Sequence, residues 1–304
     1  MIVTSASDFR AEYSPQKYPP RHAATARGAF LVAPASTELA IESGQDNAYM
    51  ASDTTIDLAR ARAQHDALAL ALGPDVPVAL FAGRPDCPDG MFPNNVFATV
   101  RDRLIIGRMR HAVRQREARR DDIRRWFRDV LDYAELDLSQ RDCVAELTGA
   151  LVIDRARGIG YCGLSERCDL AGARAMHAAF GLRLSFAFPL ARGEYHTNVV
   201  LAVLAGRAAL LAPSGFADPA DAEAIAAVYG NGAVLLDEAQ KAAFAANAIA
   251  LAPQRVWMSQ RAAAALAPAQ YLALARHGFA VGAVPLDEIE KAGGSLRCCV
   301  AEIF

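Results

Sequence analysis

The strongest constraint on this chain is a pattern that returns roughly every 50 residues. Four stretches share it: "NNVFATVRDRLIIGRM" from Asn94, "TGALVIDRARGIGYCGLS" from Thr148, "HTNVVLAVLAGRAALLAP" from His196 and "NAIALAPQRVWMSQRA" from Asn247. Each runs from a polar start through a short β-prone segment, a polar turn and a second apolar segment, the signature of a β-hairpin. The starts fall at Asn95, Gly149, Asn198 and Asn247, and one further step lands on Cys298. Helical patterns separate them. "VRQREARRDDIRRWFRDVLDYA" sets Val113, Ile123, Trp126 and Phe127 among charges, and Asp218-Pro219 is a helix start. Gly278 after a basic residue is a helix end. A hairpin–helix–strand unit of this size cannot bury a face alone. About five of them should therefore pack around a shared axis, as one α/β domain closed like a propeller. The alternative is two ordinary α/β domains whose spacing coincides.

Composition narrows the function classes. The chain has 304 residues, is 53% hydrophobic and carries a net charge of −2. That balance gives no global attraction to nucleic acid or to an anionic membrane. No charge-free apolar run is long enough to span a bilayer, and the N-terminus lacks the apolar core of a secretory signal. Residues 1–27 are polar and proline-bearing and read as a loosely held arm, with the catalytic domain over 28–304. The six cysteines form no Cys-x-x-Cys pair, which argues against structural zinc. Free thiols in a reducing cytoplasm are the expectation. The basic stretch from Arg108 to Arg128 reads as a solvated helix face.

If equivalent hairpin starts crowd near an axis, Asn95, Glu146, His196 and Cys298 become neighbours although distant in sequence. A thiol attacks carbon only as thiolate and needs a base or a positive neighbour. His196, in "EYHTNVV", is the only histidine at a hairpin start. Glu146, before a Thr-Gly turn, suits holding an imidazole or a substrate N–H. Taken singly, each has a bland alternative: a satisfied imidazole, a turn acid, a small core thiol. Cys298 and Cys299 should face opposite ways if they lie on a strand, with Cys299 in the core.

In order along the chain stand "FPNNVF" (Phe92–Phe97), "ELTGALVIDR" (Glu146–Arg155), "GLSERC" (Gly163–Cys168), "HTN" (His196–Asn198) and "GGSLRCCVAEIF" (Gly293–Phe304). This set resembles the guanidino-group-modifying superfamily of arginine deiminases, dimethylarginine hydrolases and amidinotransferases. Within it the set is most similar to the citrulline utilization hydrolase branch. The resemblance implies a five-fold pseudosymmetric, pentein-like α/β propeller. It also implies a catalytic set of Cys298 as nucleophile, His196 as general acid/base and Glu146 as the supporting acid. Arg167 matches the arginine that holds a substrate α-carboxylate, a role suited to its planar fork. Arg114 is a second candidate, with Arg116 left open.

Two departures bear on substrate. Deiminases of the superfamily place Asp where this chain has Asn95 and Asn198. A guanidinium offers only N–H donors and suits carboxylates, whereas an amide can pair with the C=O and NH₂ of a ureido group. Asn95 and Asn198, with Asn94 beside the first, are thus the expected contacts to a neutral ureido group. The implied reaction takes citrulline to ornithine, CO₂ and ammonia, with no metal or organic cofactor. The rivals are an arginine dihydrolase, deiminase or amidinotransferase, and a non-enzymatic binding protein of the same fold. The expected partner is a small amino-acid substrate, with neither nucleic acid nor membrane, and a homo-oligomer is compatible with the sequence.

Overall fold

The computed structural model describes residues 1–51 and 54–304. The strands fall into five small sheets on one plan. The chain opens with β1 (Ile2–Val3) and continues through β2 (Gly28–Val32), the helix Leu58–Leu72 and β3 (Val78–Phe81), which lies parallel to β2. The complete plan follows. β4 (Phe97–Val100) folds back antiparallel on β5 (Arg103–Ile106), and a helical stretch then brings β6 (Ala134–Asp137) parallel to β5. β7 (Leu151–Asp154), β8 (Ile159–Leu164) and β9 (Leu184–Pro189) repeat it. So do β10 (Leu201–Leu204), β11 (Ala208–Leu211) and β12 (Ala233–Leu235). So, again, do β13 (Ile249–Ala252), β14 (Arg255–Ser259) and β15 (Ala280–Val284).

The remaining sheet is split across the chain. β16 (Ala301–Ile303) runs antiparallel to β2 and supplies the strand that a hairpin supplies elsewhere. The segment after Cys298 therefore completes a sheet begun near residue 28. Neighbouring sheets touch through their first strands: β16 lies against β4, and β10 against both β7 and β13. β10 and β11 are almost continuously buried runs of Leu, Ala and Val, as strands covered on both faces are.

The first part of the segment 1–27 is held to the rest of the chain. β1 pairs parallel with β9, and Phe9 on the helix Ala6–Glu12 is buried against Phe186, ring centroids 4.9 Å apart. Two expectations change here. The basic stretch is not one exposed helix. It breaks into Ala112–Gln115, a 3₁₀ turn Glu117–Arg119 and the helix Asp121–Asp129. Arg120 at the break is buried and forks onto Asp122, and Arg114 points inward. Cys298 and Cys299 lie not on a strand but in the one-turn helix Leu296–Cys299, whose N–H groups at both cysteines close on the Ser295 carbonyl.

Candidate active site

Each hairpin is entered through a short turn, and these turns bring the repeat positions together. Three are single helical turns, Leu147–Ala150, Thr197–Val200 and Leu296–Cys299, and a fourth is the 3₁₀ turn Pro93–Asn95. Side chains and backbone stitch one turn to the next. Thr148 Oγ1 donates to the Asn94 carbonyl at 3.0 Å, and Asn198 Nδ2 to the Thr148 carbonyl at 3.1 Å. Asn247 Nδ2 donates to the Asn198 carbonyl at 2.9 Å, and the Arg297 amide to the Asn247 carbonyl at 3.3 Å. Asn and Thr recur at the hairpin starts because each can bridge two backbones at once.

Gly149 is required at this junction. A Cβ there would stand 2.4 Å from Asn95 Oδ1 and 2.7 Å from the His196 ring, so only glycine lets the three converge. Gly293 has a similar duty. Its φ is +78°, and a Cβ would stand 2.3 Å from Asn47 Nδ2.

His196 Nε2 and Glu146 Oε2 are 2.8 Å apart, both fully buried. The same Glu146 oxygen accepts from Arg167 Nη1 at 3.2 Å, and its Oε1 accepts from the Arg110 amide at 3.0 Å. Burial alone would raise the Glu146 pKa. Arg167 and His196 more than offset that and hold it well below the usual carboxylate range. Burial lowers the His196 pKa against the pull of Glu146. Its Nδ1 is buried without a hydrogen-bond partner among the described residues.

Cys298 Sγ receives a hydrogen bond from Asn247 Nδ2 at 3.3 Å and lies 3.8 Å from Asn198 Oδ1. Burial pushes its pKa up, against the Asn247 donor and the nearby Arg297 charge. Cys299 is raised further, by burial and by its neighbour Cys298, and sits in apolar packing.

Cys298 forms part of the wall of a cavity with Asn95, Arg114 and Arg167. Of the residues singled out from sequence, those four line it directly. Glu146 and His196 do not, but join it through Arg167 and through the Asn95–Gly149 junction. Two of the residues singled out from sequence are not on this wall. Asn94 is fully buried with neither amide atom partnered among the described residues, and it is not on this wall. Asn198 faces a separate narrow channel with Thr148, Arg155 and Arg297, because its Nδ2 is turned to the Thr148 carbonyl. Arg114 and Arg116 differ in position. Arg114 is buried on the wall, whereas Arg116 is exposed and reaches the Asp86 carbonyl.

The wall also holds groups the sequence did not single out. Asp89 is fully buried, its Oδ1 unpartnered among the described residues and its carboxylate 3.9 Å from Arg114 Nε. Burial raises its pKa against the pull of Arg114. Ser43 and Asn47 belong to the segment 41–51 that covers the cavity. Asp46 on that segment takes the Arg167 fork, at 2.9 Å from Nε and 2.6 Å from Nη2, and also meets His111 Nε2 at 3.0 Å. The enclosed space is about 10 Å³, room for roughly one water. Pockets that hold small ligands run to roughly 300–1,000 Å³. The space as it stands is far smaller than such pockets.

Arg114 illustrates how the wall is held. Its Nε and Nη2 fork onto Glu117 at 2.9 and 2.8 Å, and Nη2 also donates to the Phe92 carbonyl at 3.1 Å. Burial works against its charge, but Glu117 and Asp89 more than offset that.

A family model described as N,N dimethylarginine dimethylhydrolase, eukaryotic, matches residues 33–304. The chain belongs to this family. It is thereby a member of the guanidino-group-modifying superfamily and a hydrolase acting on carbon–nitrogen bonds other than peptide bonds. No curated protein matches the chain. Among solved structures it resembles the N-terminal domain of ArgZ, an arginine dihydrolase from the ornithine–ammonia cycle in cyanobacteria, bound to substrate. The TM-score is 0.78 at 20% identity, covering 91% of this chain and 97% of that one. AgrE with ornithine and NAD⁺ gives 0.79 at 22% identity, covering 91% of this chain and 39% of the longer one. A dimethylarginine dimethylaminohydrolase adduct with S-methyl-L-thiocitrulline gives 0.71 at 22%, covering 91% of this chain and all of that one, 100%. At such identities these likenesses establish the shared mixed α/β, pentein-like fold alone. No helix among the described residues is long and apolar enough to cross a membrane.

Proposed function

We propose that the five sheets close around one axis as a five-fold propeller. At that axis the chain hydrolyses citrulline to ornithine, CO₂ and ammonia through a covalent Cys298 intermediate. The observation that carries this reading is a thiol on a cavity wall that also bears an unpartnered amide oxygen and two guanidinium groups. Arg167 already holds a carboxylate in its fork, that of Asp46. A substrate α-carboxylate takes the same donors when the segment 41–51 lifts. Asn95 Oδ1 then accepts from the ureido NH₂.

In the reaction the Cys298 proton passes to His196 as sulfur attacks the ureido carbon. His196 returns it to the departing nitrogen, and the C–N bond breaks to give ammonia and a thiocarbamate on sulfur. Water, deprotonated by His196, then attacks that carbon. The C–S bond breaks, the thiol recovers its proton, and the freed carbamic acid falls apart to ornithine and CO₂. Glu146 holds the imidazole and stabilises its charged form. Six free cysteines fit a reducing cytoplasm.

Asp89 favours a second reading, in which the enzyme starts one step earlier, from arginine. A buried, unpartnered carboxylate oxygen on the wall suits a cationic substrate better than a neutral one. Product stoichiometry separates the two. Citrulline hydrolysis releases one ammonia per ornithine, and arginine dihydrolysis two. Turnover of citrulline with arginine left untouched is the expected result. Ornithine from arginine alone would replace the first reading by the second, and no ornithine from either would remove both.

The pKa shifts give the pH profile a sign. Attack needs one proton shared by Cys298 and His196. Adding a second blocks the thiol and requires protonating an imidazole whose pKa lies below 6.5. Removing the last requires ionising a thiol whose pKa lies above 9.0. The rate of citrulline hydrolysis at low substrate should thus be flat from about pH 6.5 to 9, falling outside that window. A profile climbing steeply through neutrality would contradict this assignment.

A further inference from the structure

The hairpin turns carry basic residues that the hydrolytic site does not use. Arg101 lies in the β4–β5 turn and Arg155 begins the β7–β8 turn. A four-residue strand separates these turns from the hairpin starts, roughly 13 Å. Both arginines line a groove of about 410 Å³ with Arg21, His22 and Arg183. No Asp or Glu side chain lines it. The chain as a whole has 32 basic and 34 acidic residues, so this basic set of lining side chains is local. None of the four arginines has a carboxylate within 4.0 Å among the described residues, although most buried guanidinium groups in this protein do.

Arg155 is the centre of the groove. Its guanidinium lies 4.0 Å from the Phe304 ring centroid and 5.3 Å from that of Phe180. Among the described residues it makes a single hydrogen bond, from Nη1 to the Thr99 carbonyl at 3.1 Å. Glu302, an acid whose charge acts on Arg155, is engaged by Arg297 at 2.8 Å. Burial pushes the Arg155 pKa down to about 10, with Arg297 adding to the effect and Glu302 opposing it. A guanidinium held charged between two rings with most of its donors unspent is set to take an oxyanion. Arg183 is positioned to help. It is anchored over the Tyr18 ring at 4.8 Å and donates to backbone carbonyls only, including that of Arg157.

We propose that this groove is a second binding site, for a small polyvalent anion whose oxyanion groups reach Arg155 and Arg183. Phosphate esters and di- or tricarboxylates share that chemistry. The apolar side chains of Phe180 and Phe304, and a volume of about 410 Å³, favour a small molecule over a nucleic-acid backbone.

Isothermal titration calorimetry on the full chain tests it, with pyrophosphate and with citrate as separate probes at constant ionic strength. Saturable one-site binding is expected for at least one probe, weakening as salt rises. Arg155→Met and Arg183→Met should each weaken it at least 10-fold, with unchanged circular dichroism. Arg276→Met, an exposed arginine elsewhere, should leave it intact. The second groove variant keeps the test sound if the first does not fold. Binding of pyrophosphate alone assigns a phosphate ligand, and binding of citrate alone a carboxylate. No saturable binding of either probe, or binding that survives both groove substitutions, overturns the proposal.

Discussion

Replacing Cys298 with alanine should lower ornithine release from citrulline by on the order of 10⁴-fold or more, while Cys299→Ala keeps activity within roughly tenfold. The two thiols are adjacent and equally buried, so burial does not distinguish them. Their surroundings do. Cys298 Sγ lies on the cavity wall with a donor amide from Asn247, which can stabilise a thiolate. Cys299 belongs to the same apolar cluster as Cys298, but its thiol has no side-chain hydrogen-bond partner among the described residues. Truncating it removes one sulfur from packing and should cost about 1 kcal/mol of stability without touching the chemistry. Mass spectrometry of enzyme quenched during turnover adds an independent readout. An adduct should appear on the peptide bearing Cys298 in the wild type and in Cys299→Ala, and should be missing from Cys298→Ala. Normal turnover by Cys298→Ala would end the covalent mechanism.

How far the sequence reaches is visible in the same residues. Hairpin starts at Asn95, Gly149, Asn198 and Asn247 were legible because strand and turn preferences are local, and a repeat multiplies a weak signal. The repeat phase also placed Asn247, but only the structure relates its amide to Cys298. The one-turn helix under Cys298 was not legible. Four residues are too few for periodicity, and β16 immediately after them suggests a strand throughout. Asp89 was hidden in "CPDG", which reads as an ordinary turn. Asp46 sits in a segment with no pattern, and its meaning comes from Arg167, distant in sequence and close in space. The anchoring of the N-terminal segment was not legible for the same reason. It comes from pairing with β9 and from stacking Phe9 on Phe186, both long-range. Asn94 and Asn198 show the limit of motif matching. Residue type and spacing put them at the hairpin starts, but hydrogen bonding to neighbouring turns decides where an amide points.

The second large effect is expected at the buried pair, and its form matters more than its size. His196→Ala should lower turnover by roughly 10²–10⁴-fold, as loss of a general acid/base does. Glu146→Gln should lower it by a comparable factor although Glu146 does not line the cavity, because a neutral amide no longer favours the charged imidazole. If the two act as one unit, the double variant should be no worse than the poorer single variant. Additive losses would mean that Glu146 works on something other than His196. A stability readout separates positioning from folding. The Glu146 pKa is depressed in the folded chain, so its contribution is fully present above the ordinary value of 4.5 and is lost as pH falls through the depressed one. Wild type and Glu146→Gln should therefore differ in melting temperature near neutrality and converge in acid. The wild type should stand higher near neutrality because removing this carboxylate leaves Arg167 with Asp46 as its remaining ion-pair partner. A melting difference that persists unchanged into acid would trace the lost activity to packing at Glu146 and not to its charge.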